Sequence, residues 1–227
     1  MLIFCFLQID PSVSKAGYRS FIREAAGRGI EVHALGGAAN WVLPDQQINL
    51  YKFIEWVRVY NDSAPVQSRF KGIHLDVEPY VTKEWANDPD KMIGLWRDTI
   101  SGFVEEMKMD TPGLTAGADM PSWLENLYVY DELGVRTTLS NWMIRTLDQT
   151  TLMAYRDNAA DIINSVSVEM NEAEKSGKPL IVAVETLPSS EGPITFYNKG
   201  RAAMMKELGI VNDTLKKPGP LYRICGS

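Results

Sequence analysis

Short apolar runs alternate with longer amphipathic segments along most of the 227-residue chain. The apolar runs are typical of buried strands, whereas the longer segments repeat apolar residues every three to four positions and predict helices. The predicted strands cover residues 1–7, 30–35, 70–77, 114–118, 150–155, 179–184 and 221–225. The predicted helices lie around residues 18–26, 50–57, 91–109, 139–147, 163–173 and 199–208.

Strands separated by helices, without hairpin signals, indicate parallel βαβ units and therefore an α/β fold. The first strand-to-helix turn, residues 8–12, lacks the glycines of a phosphate-binding loop, which disfavours a doubly wound sheet. The pattern favours a TIM (β/α)8-like barrel. A typical barrel has about 250 residues, so we expect one βα unit to be missing from this shorter chain or hidden in it. No linker or repeat divides residues 1–227, which predicts a single domain.

The composition and charge of the chain argue against some classes of function. The chain is 45% hydrophobic and 23% charged, with a formal net charge of -6, which is typical of a folded domain and argues against a nucleic-acid partner. No window approaches the roughly 18 to 20 apolar residues of a membrane span, so we expect a soluble protein without a membrane partner. The apolar start has no basic residue before it and no cleavage site after it, which favours a strand over a signal peptide. Compartment and oligomeric state stay open.

The most informative segment for chemistry is the run from Gly72 to Pro79. Because side chains alternate along a strand, His74, Asp76 and Glu78 share one face. TIM-barrel enzymes carry their chemistry at the carboxyl ends of the strands. Three buried ionisable groups cost free energy unless they pair or bind something. The segment therefore predicts either an active site or a structural polar network in the barrel mouth.

The sequence gives little support for three other kinds of site: a metal site, a serine hydrolase site and a cysteine site. A metal site is disfavoured because the chain has only two histidines, His33 and His74. A serine hydrolase would need the G-x-S-x-G motif, which is absent. The two cysteines, Cys5 and Cys225, lie on terminal strands and have no zinc-binding spacing. No metal and no cofactor is implied.

The segment Lys71-Gly-Ile-His-Leu-Asp-Val-Glu78 resembles the fourth-strand pattern D-G-x-D-x-D-x-E of glycoside hydrolase family 18, the chitinase-like barrels. Asp76 and Glu78 match this pattern, whereas Lys71 and His74 replace its first two aspartates. Gly36 and the glycine that follows it are similar to the pair that closes the third strand of the family.

A second motif supports the same resemblance. The family carries M-x-Y-[DN] at the end of its sixth strand, and this chain has Met153-Ala-Tyr155, with Arg156 in place of the acid. In this alignment residues 1–7 correspond to the second strand of the family. The resemblance therefore implies a divergent, truncated member that lacks the first βα unit.

The resemblance also implies roles for the matching residues. Glu78 would be the general acid that protonates the leaving oxygen, and Asp76 would hold a substrate N-acetyl group that acts as the internal nucleophile. Tyr155 would donate a hydrogen bond to that group. His74 would replace the aspartate that stacks behind the pair.

Glu185 offers an alternative second carboxylate. The large clan of two-carboxylate barrel glycosidases has its acid on strand four, before a proline, and its nucleophile on strand seven. Glu78-Pro79 and Glu185 are similar in location, although Val77 stands where the clan has an asparagine. This mechanism would need the two carboxyls roughly 5 to 5.5 Å apart. Glu185 could instead pair with Arg156 or a neighbouring lysine.

Further side chains at predicted strand ends could contact a sugar. Trp41 and Trp123 follow the strands at 30–35 and 114–118, and aromatic planes stack on sugar rings. Asp119 could bind a sugar hydroxyl or cap the next turn, and Arg156 is a further candidate. We therefore expect a glycosidase that cleaves an oligo- or polysaccharide. The alternative is a catalytically silent carbohydrate-binding barrel, which would explain the departures at Lys71, His74 and Arg156.

Overall fold

The computed structural model describes residues 3–10, 12–215 and 222–226, the last of these by backbone alone. The chain forms two compact units, Met1–Ala118 and Asp119–Ser227. The last residues of the fourth strand belong to the second unit. The single domain expected over residues 1–227 remains a prediction.

The first unit is built on parallel strands that neighbour one another in chain order. These strands are β1 (Ile3–Gln8), β2 (Ile30–Gly36), β3 (Gly72–Leu75) and β4 (Thr115–Pro121). The helices between them are α1 (Lys15–Gly27), α2 (Ile48–Ser63), α3 (Lys83–Asn87) and α4 (Pro89–Asp110).

Helix ends in the first unit follow local sequence signals. Ser14 caps α1 by accepting a hydrogen bond from the backbone N–H of Gly17. Asp88 caps α4 in the same way, and Pro89 occupies the first helical position, where its missing N–H costs nothing. These local signals set the first residues of α1 and α4, which lie close to the helix starts predicted from the apolar pattern.

The interior face of the first unit carries aromatic rings and two buried histidines. His33 is 0% exposed, and its ring lies edge-on to Phe4 and Phe6 at centroid distances of 5.1 and 5.7 Å. His74 is also 0% exposed and stacks on Phe6 at 3.9 Å. Gly72 leaves room for the first histidine, because a Cβ there would lie 2.5 Å from His33 Nδ1. These rings pack against one another in a layer on β1, β2 and β3.

The second unit contains three parallel strands and a hairpin. The parallel strands, neighbours in chain order, are β7 (Gln149–Met153), β8 (Leu180–Val184) and β9 (Tyr222–Gly226), and the hairpin pairs β5 (Tyr128–Tyr130) with β6 (Arg136–Thr138). The helices are α5 (Leu139–Thr146), α6 (Ala159–Ser176) and α7 (Gly200–Leu215).

The predicted strands are all present in the described residues. In each unit every strand of the parallel sheet lies beside its predecessor in the chain, without the order reversal of a doubly wound sheet. Among the described residues, four such strands lie in the first unit and three in the second, one fewer than in a complete barrel, as the sequence pattern predicts. No helix in the described part of the chain is long and apolar enough to cross a membrane.

The expectation of no hairpin is wrong for residues 128–138. Tyr128 pairs with Thr138 across an antiparallel ladder whose loop has five residues. Asp131 organises this loop, because its side chain accepts hydrogen bonds from the N–H groups of Leu133 and Val135. The sequence pattern concealed the hairpin because two-residue turns, the strongest hairpin signal, are absent here.

Candidate functional site

The carboxyl ends of β2 and β3 meet at a glycine pair. The backbone N–H of Asp76 donates a 3.0 Å hydrogen bond to the carbonyl oxygen of Gly36. Gly37 then passes directly over the backbone of Asp76, where any side chain would overlap the Asp76 carbonyl group. Glycine is required for this close approach. The predicted glycine pair therefore fixes the backbone position of the first candidate carboxylate.

The chain keeps the predicted alternation as it leaves β3. Val77 is 2% exposed, whereas Asp76 and Glu78 on either side of it are half-buried. The Oδ1 atom of Asp76 is itself buried. His74, two residues earlier, has no exposed surface, so it belongs to the packed layer behind the carboxylates. The site thus presents two partly accessible carboxylates, two residues apart, beyond a strand end.

Glu78 has a hydrogen-bond partner that the sequence analysis missed. The Tyr80 hydroxyl donates to Oε1 of Glu78. The ring of Tyr80 contacts Trp85 and Trp96 at centroid distances of 6.4 and 6.1 Å, and Trp96 is 1% exposed. The signal that could have revealed Tyr80 is its position two residues after the candidate acid, beside a proline that turns the chain.

The tryptophans that follow β2 and β4 differ in accessibility. Trp41 is half-buried and packs on Phe53 of α2 at a centroid distance of 5.9 Å. Trp123 is 38% exposed. Asp119 lies inside β4 and is half-buried, because the strand runs three residues further than predicted. Its role, as a sugar contact or as the cap of the next turn, remains a prediction.

In the second unit, the residues after β7 make a backbone hydrogen bond and an ion pair. Arg156 donates a 2.6 Å hydrogen bond from Nη1 to the carbonyl oxygen of Tyr155. The next residue, Asp157, is 7% exposed and pairs with Lys199 at 2.7 Å. Position 156 therefore carries an arginine, and the acid that follows it, Asp157, pairs with a lysine.

Glu185 follows β8 and organises a turn. Its Oε1 atom accepts hydrogen bonds from the backbone N–H groups of Thr186 and Leu187, both at 2.6 Å. Its backbone carbonyl accepts a further one from Phe196 at 2.9 Å. The two hydrogen bonds to Oε1 give the Glu185 side chain a structural role, in addition to the catalytic role that its location suggests. Among the described residues, no group of three or more His, Cys, Asp or Glu side chains is arranged to hold a metal ion.

Solved chitinases share this arrangement of strands and helices. A family 18 chitinase from Cycas revoluta, solved with a tetramer of N-acetylglucosamine, is 15% identical, with a TM-score of 0.50 over 81% of this chain and 60% of that one. The Group IV chitinase of Ostrinia furnacalis is 13% identical, with a TM-score of 0.51 over 81% and 57%. The protein has the fold of the family 18 chitinases. No family model and no curated protein matches the sequence.

The chitinase-like fold confirms the resemblance at the level of architecture. The chain spans about three fifths of the length of the chitinases it matches, 60% and 57% for these two. Asp76 and Glu78, which match the family pattern, lie just beyond the end of β3. Lys71, which replaces the first aspartate of the pattern, is an exposed residue before that strand.

Proposed function

We propose that this protein hydrolyses a glycosidic bond in an oligo- or polysaccharide, with Glu78 as the general acid. The observation that carries the proposal is the pair of partly accessible carboxylates, Asp76 and Glu78, beyond the end of β3 in a chitinase-like fold. The carboxyl ends of strands are where barrel enzymes hold their reacting groups.

The proposed reaction begins with proton transfer from Glu78 to the leaving glycosidic oxygen. Protonation avoids expulsion of an alkoxide, and a positioned acid contributes about 10²- to 10⁴-fold to such a step. As the C–O bond breaks, the carbonyl oxygen of a substrate acetamido group bonds to the anomeric carbon. Water then displaces that oxygen and returns a proton to Glu78. Asp76 orients the acetamido N–H.

The proposed substrate is a chain containing N-acetylated sugars. One of the matched chitinases was solved with an N-acetylglucosamine tetramer, which supports this choice. In the first unit, Trp41 would stack on a sugar ring. In the second unit, Trp123, Asp119 and Arg156 remain candidates for sugar contacts. His74, which is fully buried, would act from behind Asp76 rather than touch the sugar.

The second candidate function is carbohydrate binding without catalysis. The observation that favours it is the loss of acidic residues from the family pattern, where Lys71, His74 and Arg156 stand instead. A silent barrel would tolerate such replacements because sugar binding depends on aromatic stacking and hydrogen bonds rather than on a proton donor. The retained Glu78 argues for catalysis.

A panel of aryl glycosides with and without a 2-acetamido group tests the proposal. Wild-type protein is compared with Glu78→Gln and with the matched control Glu84→Gln, which removes a nearby carboxylate on α3. We expect turnover that depends on Glu78 but not on Glu84. Binding of an N-acetylglucosamine oligomer by both wild-type protein and Glu78→Gln, with no turnover by either, would favour the silent barrel.

A further inference from the structure

We propose that Tyr80 is a positioning residue for Glu78, holding one carboxyl oxygen so that the acidic proton resides on the other. This inference rests on the proposed function and names a residue that the chitinase pattern does not include. It follows from the hydrogen bond between the Tyr80 hydroxyl and Oε1 of Glu78.

The segment that carries Tyr80 is held by local hydrogen bonds. Residues Pro79–Val81 form a single 3-10 turn, and the proline ring fixes its first φ angle. Thr82 closes the turn by donating from its hydroxyl to the Pro79 carbonyl at 2.7 Å. The same hydroxyl accepts from the N–H of Trp85 and caps α3. The turn therefore ties Glu78, Tyr80 and Trp85 into one local unit.

The ring of Tyr80 is fixed by aromatic contacts from two helices. Trp85 of α3 meets it edge-on, with ring planes at 81°, and Trp96 of α4 lies against it at a tilt of 49°. Trp85 and Trp96 also contact each other edge-on at a centroid distance of 6.3 Å. Because Trp96 is buried, the cluster limits the movement of the Tyr80 hydroxyl relative to the backbone.

The hydrogen bond distinguishes the two oxygens of Glu78. A tyrosine hydroxyl has one hydrogen to donate, and a carboxyl oxygen that carries the acidic proton is a poor acceptor for it. With Tyr80 donating to Oε1, the proton of the neutral carboxyl is placed on Oε2. Among the described residues, Oε2 receives no hydrogen bond. Oε2 is therefore the atom that would deliver the proton to a glycosidic oxygen.

The hydrogen bond from Tyr80 also reduces the number of orientations that the Glu78 carboxyl group can adopt. A glutamate side chain has three rotatable bonds, and general acid catalysis requires the acid within hydrogen-bonding reach of the leaving oxygen. A partly accessible Glu78 without this anchor would sample orientations that point away from the substrate. The Tyr80 hydroxyl would thus raise kcat without contributing to substrate affinity.

The test is Tyr80→Phe, which removes the hydroxyl but keeps the ring between the two tryptophans. Tyr51→Phe on α2 is the matched control. On substrates with a poor leaving group we expect kcat to fall about tenfold at unchanged KM, a part of the contribution that a positioned acid makes. On 2,4-dinitrophenyl glycosides, whose leaving group departs without protonation, we expect no loss. The Tm should stay at the wild-type value.

Glu78→Gln in the same assay separates the inference from the proposed function. If Glu78→Gln shows the dependence on the leaving group and Tyr80→Phe does not, the inference fails and the proposed function stands. A Tyr80→Phe loss that is equal for both leaving groups identifies a structural role and also overturns the inference. If Glu78→Gln leaves turnover unchanged, or the wild-type protein hydrolyses none of the substrates, both fail.

Discussion

Gly37 and Asp76 approach so closely that a Cβ on Gly37 would lie 1.9 Å from the carbonyl oxygen of Asp76. Gly37→Ala must therefore move the end of β2 away from the end of β3. We expect a loss of stability of about 1–3 kcal/mol, as for other overpacked sites, and a larger relative loss of kcat because Asp76 is displaced. Urea unfolding and steady-state kinetics measure the two effects.

Gly94→Ala is the matched control for this substitution. Gly94 lies in α4, and a Cβ there would have no neighbour within 4 Å. Alanine at this helical position should stabilise the protein by about 0.5–1 kcal/mol without altering kcat. A fully active and stable Gly37→Ala protein would contradict the close contact at the site.

Asp76→Asn tests the role of the acetamido group. The amide keeps the size of the side chain but loses the negative charge that would orient the acetamido N–H. We expect a large loss of kcat on substrates with a 2-acetamido group. Equal losses on substrates with and without the acetamido group would exclude substrate-assisted catalysis.

Glu185→Gln distinguishes the substrate-assisted reaction from the two-carboxylate alternative. The glutamine keeps a carbonyl oxygen that can accept the hydrogen bonds from Thr186 and Leu187, so the turn and the Tm should be preserved. We expect kcat to be preserved as well. Loss of activity in a folded Glu185→Gln protein would instead identify Glu185 as the nucleophile of a two-carboxylate mechanism.

Glu169 on α6 should make stability depend on pH. Its side chain is 0% exposed, and burial raises its pKa from 4.5 to about 7. Repulsion from the Glu125 carboxylate raises the pKa further, whereas the Ser140 side chain lowers it. Neither carboxyl oxygen of Glu169 has a hydrogen-bond partner of normal geometry among the described residues. Between the two pKa values the folded protein binds more protons than the unfolded chain. The free energy of unfolding should therefore fall by about 3 kcal/mol as pH rises through this window, and level off above it.

Urea unfolding of Glu169→Gln between about pH 4 and about pH 8 measures this effect. The variant should gain stability relative to the wild-type protein as pH rises, because its side chain does not ionise. Glu174→Gln, an exposed substitution on the same helix, should keep the wild-type pH dependence. A Glu169→Gln protein whose stability shows the wild-type pH dependence would contradict the prediction.

The sequence was sufficient to predict features that depend on local pattern. Continuous apolar runs located the parallel strands, and the alternation from His74 to Glu78 predicted three ionisable side chains on one face at the end of the third strand; β3 ends at Leu75, so Asp76 and Glu78 lie just beyond it. The hairpin of β5 and β6 was missed because its five-residue loop depends on hydrogen bonds to the Asp131 side chain.

Other features depend on contacts between residues distant in the chain. The burial of Glu169 could not be predicted, because a glutamate on an amphipathic helix ordinarily faces solvent. The support of Tyr80 by Trp96 joins a turn to the middle of α4, and no sequence periodicity encodes that contact. Such contacts follow from packing in three dimensions rather than from the order of residues.

The most direct test of the central claim is the ratio of kcat/KM between wild-type protein and Glu78→Gln on an aryl glycoside of an N-acetylated sugar. The account predicts a fall of about 10²- to 10⁴-fold for a substrate that needs protonation, with folding unchanged. An equal kcat/KM for the two proteins would contradict the assignment of Glu78 as the general acid.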